Sequence, residues 1–272
     1  MKNNLLIFVD FLIKLYKNRY LLKMMALREF KSNYIGSAFG ILWAVLNPLF
    51  QVAIYGVIFG IFLKAKPDQI YGTDNYLLFL LCGLVPWQFF AQTIITSSTS
   101  IRSNSNLIKK AVGFPSEVLP IVITISNLIS HLISLTLLLF LVVVLSGQLS
   151  VVVPFIFVYL LFTSIFAVGI GWILSSTNVF LKDVEQILSV AVMAWFFSTP
   201  VVYSPGIVPP KMLVFLKLNP LYHVVEGYRL ALLSGKLLPL TDILYLGGIS
   251  LLTLVAGGVF YRKLKPWFAE VL

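Results

Sequence analysis

Arg28–Phe50, REFKSNYIGSAFGILWAVLNPLF, is where a charged segment turns into an apolar wall. Arg28, Glu29 and Lys31 close a basic foot, and from Ile35 no charged residue appears until Lys64. Tyr34 and Trp43 are aromatics of the kind that settle at a lipid headgroup boundary. Five further apolar runs follow, so the expected spans are 35–63, 77–97, 118–145, 151–175, 184–203 and 243–261. A helix needs about 20 apolar residues to cross about 30 Å of hydrocarbon, and each run is long enough.

Composition agrees with that pattern. The 272 residues are 59% hydrophobic and only 11% charged, with a mean hydropathy of +0.97, outside the soluble range. The expected fold is an all-α integral membrane protein, one transmembrane domain over 1–272. It comprises a foot at 1–34, six transmembrane helices and an outer segment at 204–242 between spans five and six. Six crossings put both termini on one side. If that side is the cytoplasm, 14 of the 20 lysines and arginines lie inside, the bias that sets orientation in membranes. The net charge of +10 is then a topology determinant and calls for no nucleic acid partner. Cys82 is alone, which excludes an intrachain disulfide and a cysteine metal cluster. A cleaved signal peptide is not expected, because Asp10 interrupts the first apolar run and a basic region follows.

Residues 5–31 read as one or two amphipathic interfacial helices, with a bend near Asn18. Gly36 with Gly40, and Gly56 with Gly60, are small-residue pairs that let helices approach closely, within the subunit or between subunits. Pro48 is expected to kink the first span. The second span turns hydroxyl-rich from Thr96 to Ser100, so part of it should face protein or water rather than lipid. The inner loop 102–117 has room for one short helix, stopped by Gly113 and Pro115. Asn127 and His131 share a face of the third span, and a neutral histidine bonded to a neighbouring helix is the expected role. The outer segment reads as two short helices that lie against or dip into the outer leaflet as a re-entrant piece.

Phosphate-loop, zinc-protease and dinucleotide motifs are all missing. His223, Glu226 and Arg229 recur every three residues on one helix face, which reads as a salt-bridge cluster before a metal or catalytic site. The expected span interiors carry no ionisable carboxylate or amine. Ion-coupled carriers keep such groups at mid-membrane, so a transporter of this composition would take its energy from outside the bilayer. Aromatics cluster in LVPWQFF and AWFFSTPVVY. Headgroup anchoring is one reading; the other is a sugar path, since the C–H faces of pyranose rings stack on aromatic faces.

Several stretches together resemble the membrane subunit of type-2 ABC exporters that move O-antigen, capsule and teichoic acid. They are LREFKSNYIGSAFGILWAVLNPLF, LCGLVPWQFFAQT, NSNLIKKAVGFPSEVLPI, STNVFLKDVEQIL, FSTPVVYSPGIVP with LNPL, and FYRKLKPWFAEVL. In order they are distributed along nearly the whole chain, from about Leu27 to Leu272, and they are most similar to the O-antigen branch. The resemblance implies a permease, not an enzyme, in a bacterial inner membrane. It further implies a homodimer working with two cytosolic ABC ATPase subunits, which carry the ATP and magnesium, so that this chain holds no cofactor. The first and fifth spans would line a channel for a polysaccharide on an undecaprenyl pyrophosphate anchor.

On that resemblance, Arg28, Lys31 and Arg102 are candidates to receive the pyrophosphate, since clustered cations offer charge and donors to phosphate oxygens. Trp43, Trp87, Trp195, Phe196, Phe197 and Tyr203 are candidates for the sugar path. Asn106, Lys109, Lys110, Phe114 and Pro115 are candidates for the ATPase contact. The alternatives are a same-family exporter of teichoic acid, capsule or a small hydrophobic molecule. An intramembrane enzyme would have only Asp68, Asp74, Glu226 and Asp242 to work with, and a passive scaffold would show no dependence on an ATPase.

Overall fold

The computed structural model describes residues 19–62, 67–110, 114–147 and 149–272. Every regular element among them is helical. In chain order these are α1 Arg19–Ser32, α2 Trp43–Tyr55, α3 Tyr76–Ser103, α4 Ser105–Lys110, α5 Val118–Ser146, α6 Ile156–Phe180, α7 Val184–Ser198, α8 Pro210–Lys217, α9 Pro220–Arg229, α10 Leu240–Leu264 and α11 Phe268–Val271. Five stretches are long and apolar enough to cross a membrane: Gly40–Ile58, Tyr76–Ser103, Val118–Ser146, Val153–Phe180 and Leu240–Trp267. The sixth expected span is shorter, the 15-residue α7.

Packing is organised around α3. Of its most apolar window 83% is buried, against 6% for the window around α2. The hydroxyl-rich end is answered by protein: Asn178 of α6 donates to the Ser98 carbonyl at 2.8 Å, and Ser97 and Ser100 are buried. α3 packs against α5, α6, α7 and α9, while α6 also packs on α10. The α6–α10 contact is backbone to backbone. A Cβ on Gly169 would come within 2.6 Å of the Thr253 carbonyl, so only glycine permits that approach.

Two expectations about the first span are corrected. Gly36 and Gly40 take φ of +83° and +50° and form the turn that precedes the helix, so they are not a helix-packing pair. The apolar helix therefore opens at Gly40 rather than Ile35. α2 carries Pro48 within it and passes into a π-helical turn at Gly56–Phe62. The foot call for residues 5–18, including the bend near Asn18, lies outside the described residues. The described part, α1, buries Leu22, Ala26 and Phe30, spaced four apart, and packs on α5.

The outer segment forms two helices, as its periodicity predicts. Asn219 caps α9 by accepting from the Leu221 N–H at 3.1 Å, with Pro220 at the first helical position. The same side chain accepts from Trp195 Nε1 at 3.0 Å and donates to Thr199 Oγ1 at 2.8 Å, tying the end of α7 to the start of α9. Every residue of α9 is buried.

The predicted His223–Glu226–Arg229 cluster divides into two. Arg229 is fully buried and donates to the carbonyls of Pro200 and Val201, both at 2.6 Å, and to Phe79 at 3.3 Å. Its guanidinium also lies 3.0 Å from Glu226 and 3.6 Å above the Phe79 ring. One side chain thus joins α3, α9 and the chain just after α7, where helix-end carbonyls would otherwise stay unpaired. Tyr71 donates to the second Glu226 oxygen at 2.8 Å; burial, then the Glu226 carboxylate, holds its phenol well above the usual value, so it stays a donor. His223 instead donates from Nε2 to the Lys217 carbonyl at 2.7 Å, with Nδ1 3.7 Å from Asp242.

Arg229→Met would strand Glu226 in the interior and is expected to cost about 3–5 kcal/mol, whereas Arg229→Met with Glu226→Leu recovers most of it. Unfolding of the purified variants checks this, and equal losses in both would contradict it. Burial depresses the His223 pKa below its usual 6.5, outweighing the Lys217 carbonyl and Asp242, which raise it. A depressed folded pKa gives stability that is complete above 6.5 and falls as pH drops below it. Melting temperature should therefore decline on acidification in the wild type and less steeply in His223→Gln; parallel slopes would contradict the assignment.

Candidate functional site

Between α2, α3 and α5 lies an open cavity of about 580 Å³. Helical spacing builds its wall. Asn47 and Gln51 are four apart on α2, Gln88 and Gln92 four apart on α3, and Asn127, His131 and Ser134 follow the same rhythm on α5. Trp43 and Phe89 supply rings, Asn33 and Tyr34 close the end next to α1, and among the described residues no Asp, Glu, Lys or Arg lines it. Gln88 donates to Gln51 at 2.7 Å across the α2–α3 gap, Asn127 approaches Thr93 at 3.4 Å, and Gln92 donates to Thr96 at 3.1 Å. His131 meets the Tyr228 hydroxyl of α9 at 3.0 Å, the interhelical bond expected for it.

The sequence pointed to Asn127 and His131 but not to the amides of the first two spans. Their i, i+4 spacing inside apolar runs was the available signal. It passes unseen when each run is read only for charge.

The six aromatic candidates fall into different surroundings. Trp43 is half-buried at the cavity, edge-on to Phe39 at 5.7 Å. Trp87 is buried, 5.5 Å from Phe196 and 6.2 Å from Phe90. Trp195 packs on Phe90 at 5.1 Å besides bonding Asn219. Phe196 and Phe197 contact each other at 5.3 Å, Phe197 is exposed, and Tyr203 donates to the Phe197 carbonyl at 3.1 Å.

Of the cationic candidates, Arg28 and Lys31 are exposed on α1 and one turn apart, just before Asn33 and Tyr34 of the cavity end. Arg102 is instead placed 3.7 Å from Glu185, linking the end of α3 to the start of α7, and Glu185 also accepts from Asn178 at 3.1 Å. Asn106 and Lys109 are exposed on or beside the short α4, whose last residue is Lys110. Phe114 joins two apolar clusters, one with Leu22, Ala26 and Val118, the other with Ile101, Trp172 and Tyr261. Pro115 is half-buried beside it. Below them, Trp172 donates to the Glu117 carbonyl at 2.9 Å, Tyr261 to Ser116 at 2.9 Å, and Lys265 lies 2.5 Å from the Glu117 carboxylate. Among the described residues no three His, Cys, Asp or Glu side chains converge as metal ligands.

The chain is similar to the O-antigen export system permease protein RfbA of Klebsiella pneumoniae, 32% identical over 268 residues, which cover 93% of this chain and 95% of that protein. RfbA of Myxococcus xanthus is 28% identical over 259 residues, 94% of this chain and 97% of the relative. The polysialic acid transport protein KpsM of Escherichia coli is 26% identical over 238 residues, covering 87% and 90%. Residues 20–233 match the family described as ABC-2 type transporter. That match runs from the foot helix through the outer helices of a chain with five membrane-length apolar helices, and the chain belongs to the ABC-2 type transporter family.

Proposed function

We propose that this chain is the channel-forming permease of an ATP-driven exporter that moves an O-antigen-like polysaccharide, carried on undecaprenyl pyrophosphate, across a bacterial inner membrane. The observation that carries this reading is the 32% identity to an O-antigen export permease along almost the whole of both chains. Two copies of the chain would pair with two cytosolic ABC ATPase subunits, which hold ATP and magnesium. Both termini would be cytoplasmic, in keeping with the lysine and arginine bias. The whole of 1–272 would form one transmembrane domain.

A sixth crossing is part of the proposal. α7 reaches about 22 Å at about 1.5 Å per residue, and Thr199–Val202 continue it past the α7 end toward the Arg229 contacts. α9, buried and bonded through Tyr228 to the middle of α5, would then be a re-entrant helix on the outer side. The exposed first-span helix, with little of its surface covered inside the subunit, is suited to meet the second copy.

Force would enter at the inner face. Phe114 belongs to clusters that include α1, α5 and the end of α10, so a push by the ATPase on Asn106–Pro115 would reach the foot and the spans together. Arg28 and Lys31 would receive the pyrophosphate; Arg102 would contribute while held by Glu185.

Deleting the gene for this chain should abolish surface glycan, and the wild-type chain should restore it. Arg28→Gln with Lys31→Gln should fail to restore it while the purified protein still assembles with its ATPase. Surface glycan that persists in the deletion would overturn the export reading, and full restoration by the double variant would remove the role given to the two cations.

A further inference from the structure

We infer that the cavity between α2, α3 and α5 is a binding chamber, within each subunit, for neutral sugar units of the exported chain; this rests on the export reading above. Its described walls, α2, α3 and α5, belong to one chain. At about 580 Å³ it has the size of a small-molecule site, which typically encloses about 300–1,000 Å³.

The lining decides the class of occupant. Each amide carries two donors and an acceptor with two lone pairs. The three side-chain bonds made by Gln88, Gln92 and Asn127 among the described residues leave most of that capacity for whatever fills the space. Acyl chains could answer none of it, and polar groups turned to hydrocarbon are costly. An ion would meet no fixed countercharge from the described wall, which has no Asp, Glu, Lys or Arg among its residues. A saccharide fits both features: vicinal hydroxyls donate and accept as amides do, and the C–H face of a pyranose matches the Trp43 ring. Arg28 and Lys31 lie outside the chamber, beyond Asn33 and Tyr34. The charged anchor would stop at those cations while the sugars next to it occupy the amide-lined space.

The test uses the full chain with its ATPase in inside-out vesicles, Cys82→Ser having removed the native thiol. Asn47→Cys, and separately Gln92→Cys, are treated with a membrane-impermeant maleimide; Phe140→Cys, exposed on α5 and on the side of that helix opposite His131, is the control. The two cavity thiols should label and Phe140→Cys should not. Lipid-linked glycan extracted from the same cells, at about ten times its dissociation constant, should slow cavity labelling about tenfold, and undecaprenyl pyrophosphate without sugar should leave it unchanged. Cavity thiols that do not label, labelling that glycan does not slow, or equal protection by the bare anchor would each overturn the inference, the last by assigning the space to lipid. Surface glycan scored in the same cells keeps the outcomes apart. Export that depends on the chain without glycan protection removes the chamber alone, whereas surface glycan that is independent of the chain removes the export reading itself.

Discussion

In a hydrocarbon slab, a polar group that the protein does not answer goes unanswered. The arrangement around Arg229 follows from that constraint. The residue carries a charge near the N-terminal end of α3, and three backbone carbonyls, a carboxylate and an aromatic face take up its donors and its field. The carbonyls of Pro200 and Val201 belong to the stretch that leaves α7, so the same contacts close a helix end and dock the outer segment. Asn219 repeats the device with a neutral side chain, using one amide to cap α9 and to hold Trp195 and Thr199 of α7. A buried ion pair adds little net stability compared with apolar packing. Its effect is to specify one seating of α9.

The amides of the cavity are the opposite case. They stand on three apolar helices with only partial mutual bonding, and the space between them is open. Polar residues held in this way are costly to a bundle that only needs to be stable. They make sense where water or a hydroxyl-rich chain passes. The end of the bundle around Glu117 shows a third use of polar groups. Glu117, placed where α5 begins, gathers Lys265 on its carboxylate and Trp172 on its carbonyl, while Tyr261 of α10 bonds the neighbouring Ser116. Phe114 is beside this knot, and movement there has a short route into α5, α6 and α10.

Much of the fold was legible because hydrophobic run length maps directly onto helix length in a membrane. The second, third, fourth and last runs appear as long helices whose ends differ from the expected spans by a few residues, because polar residues at the run ends continue the helix. Gly36 and Gly40 misled: spacing alone cannot tell a helix-packing pair from two left-handed turn residues, and the distinction needs φ. Gly169 and Gly257, which do bring two helices into contact, were not singled out, because they are 88 positions apart and pair only through the fold. The outer helices were visible in their period. The division of His223 from Glu226 and Arg229 was not, since it depends on the Lys217 carbonyl and Asp242 arriving from other segments. The aromatic clusters were visible as composition, but which rings face a path and which fill the interior is a matter of packing. Trp87 and Trp195 have ring partners inside the subunit, and Trp43 alone of the six lines the cavity.

On the proposed function, these helices form a passive conduit that a separate ATPase works from the cytoplasmic side. Reconstitution in sealed vesicles tests it most directly, by following protection of lipid-linked glycan from an external glycosidase under two energy sources. Glycan should cross only when the chain, its ATPase and ATP are all present. Transport by the chain alone, driven by a proton or sodium gradient, would contradict it.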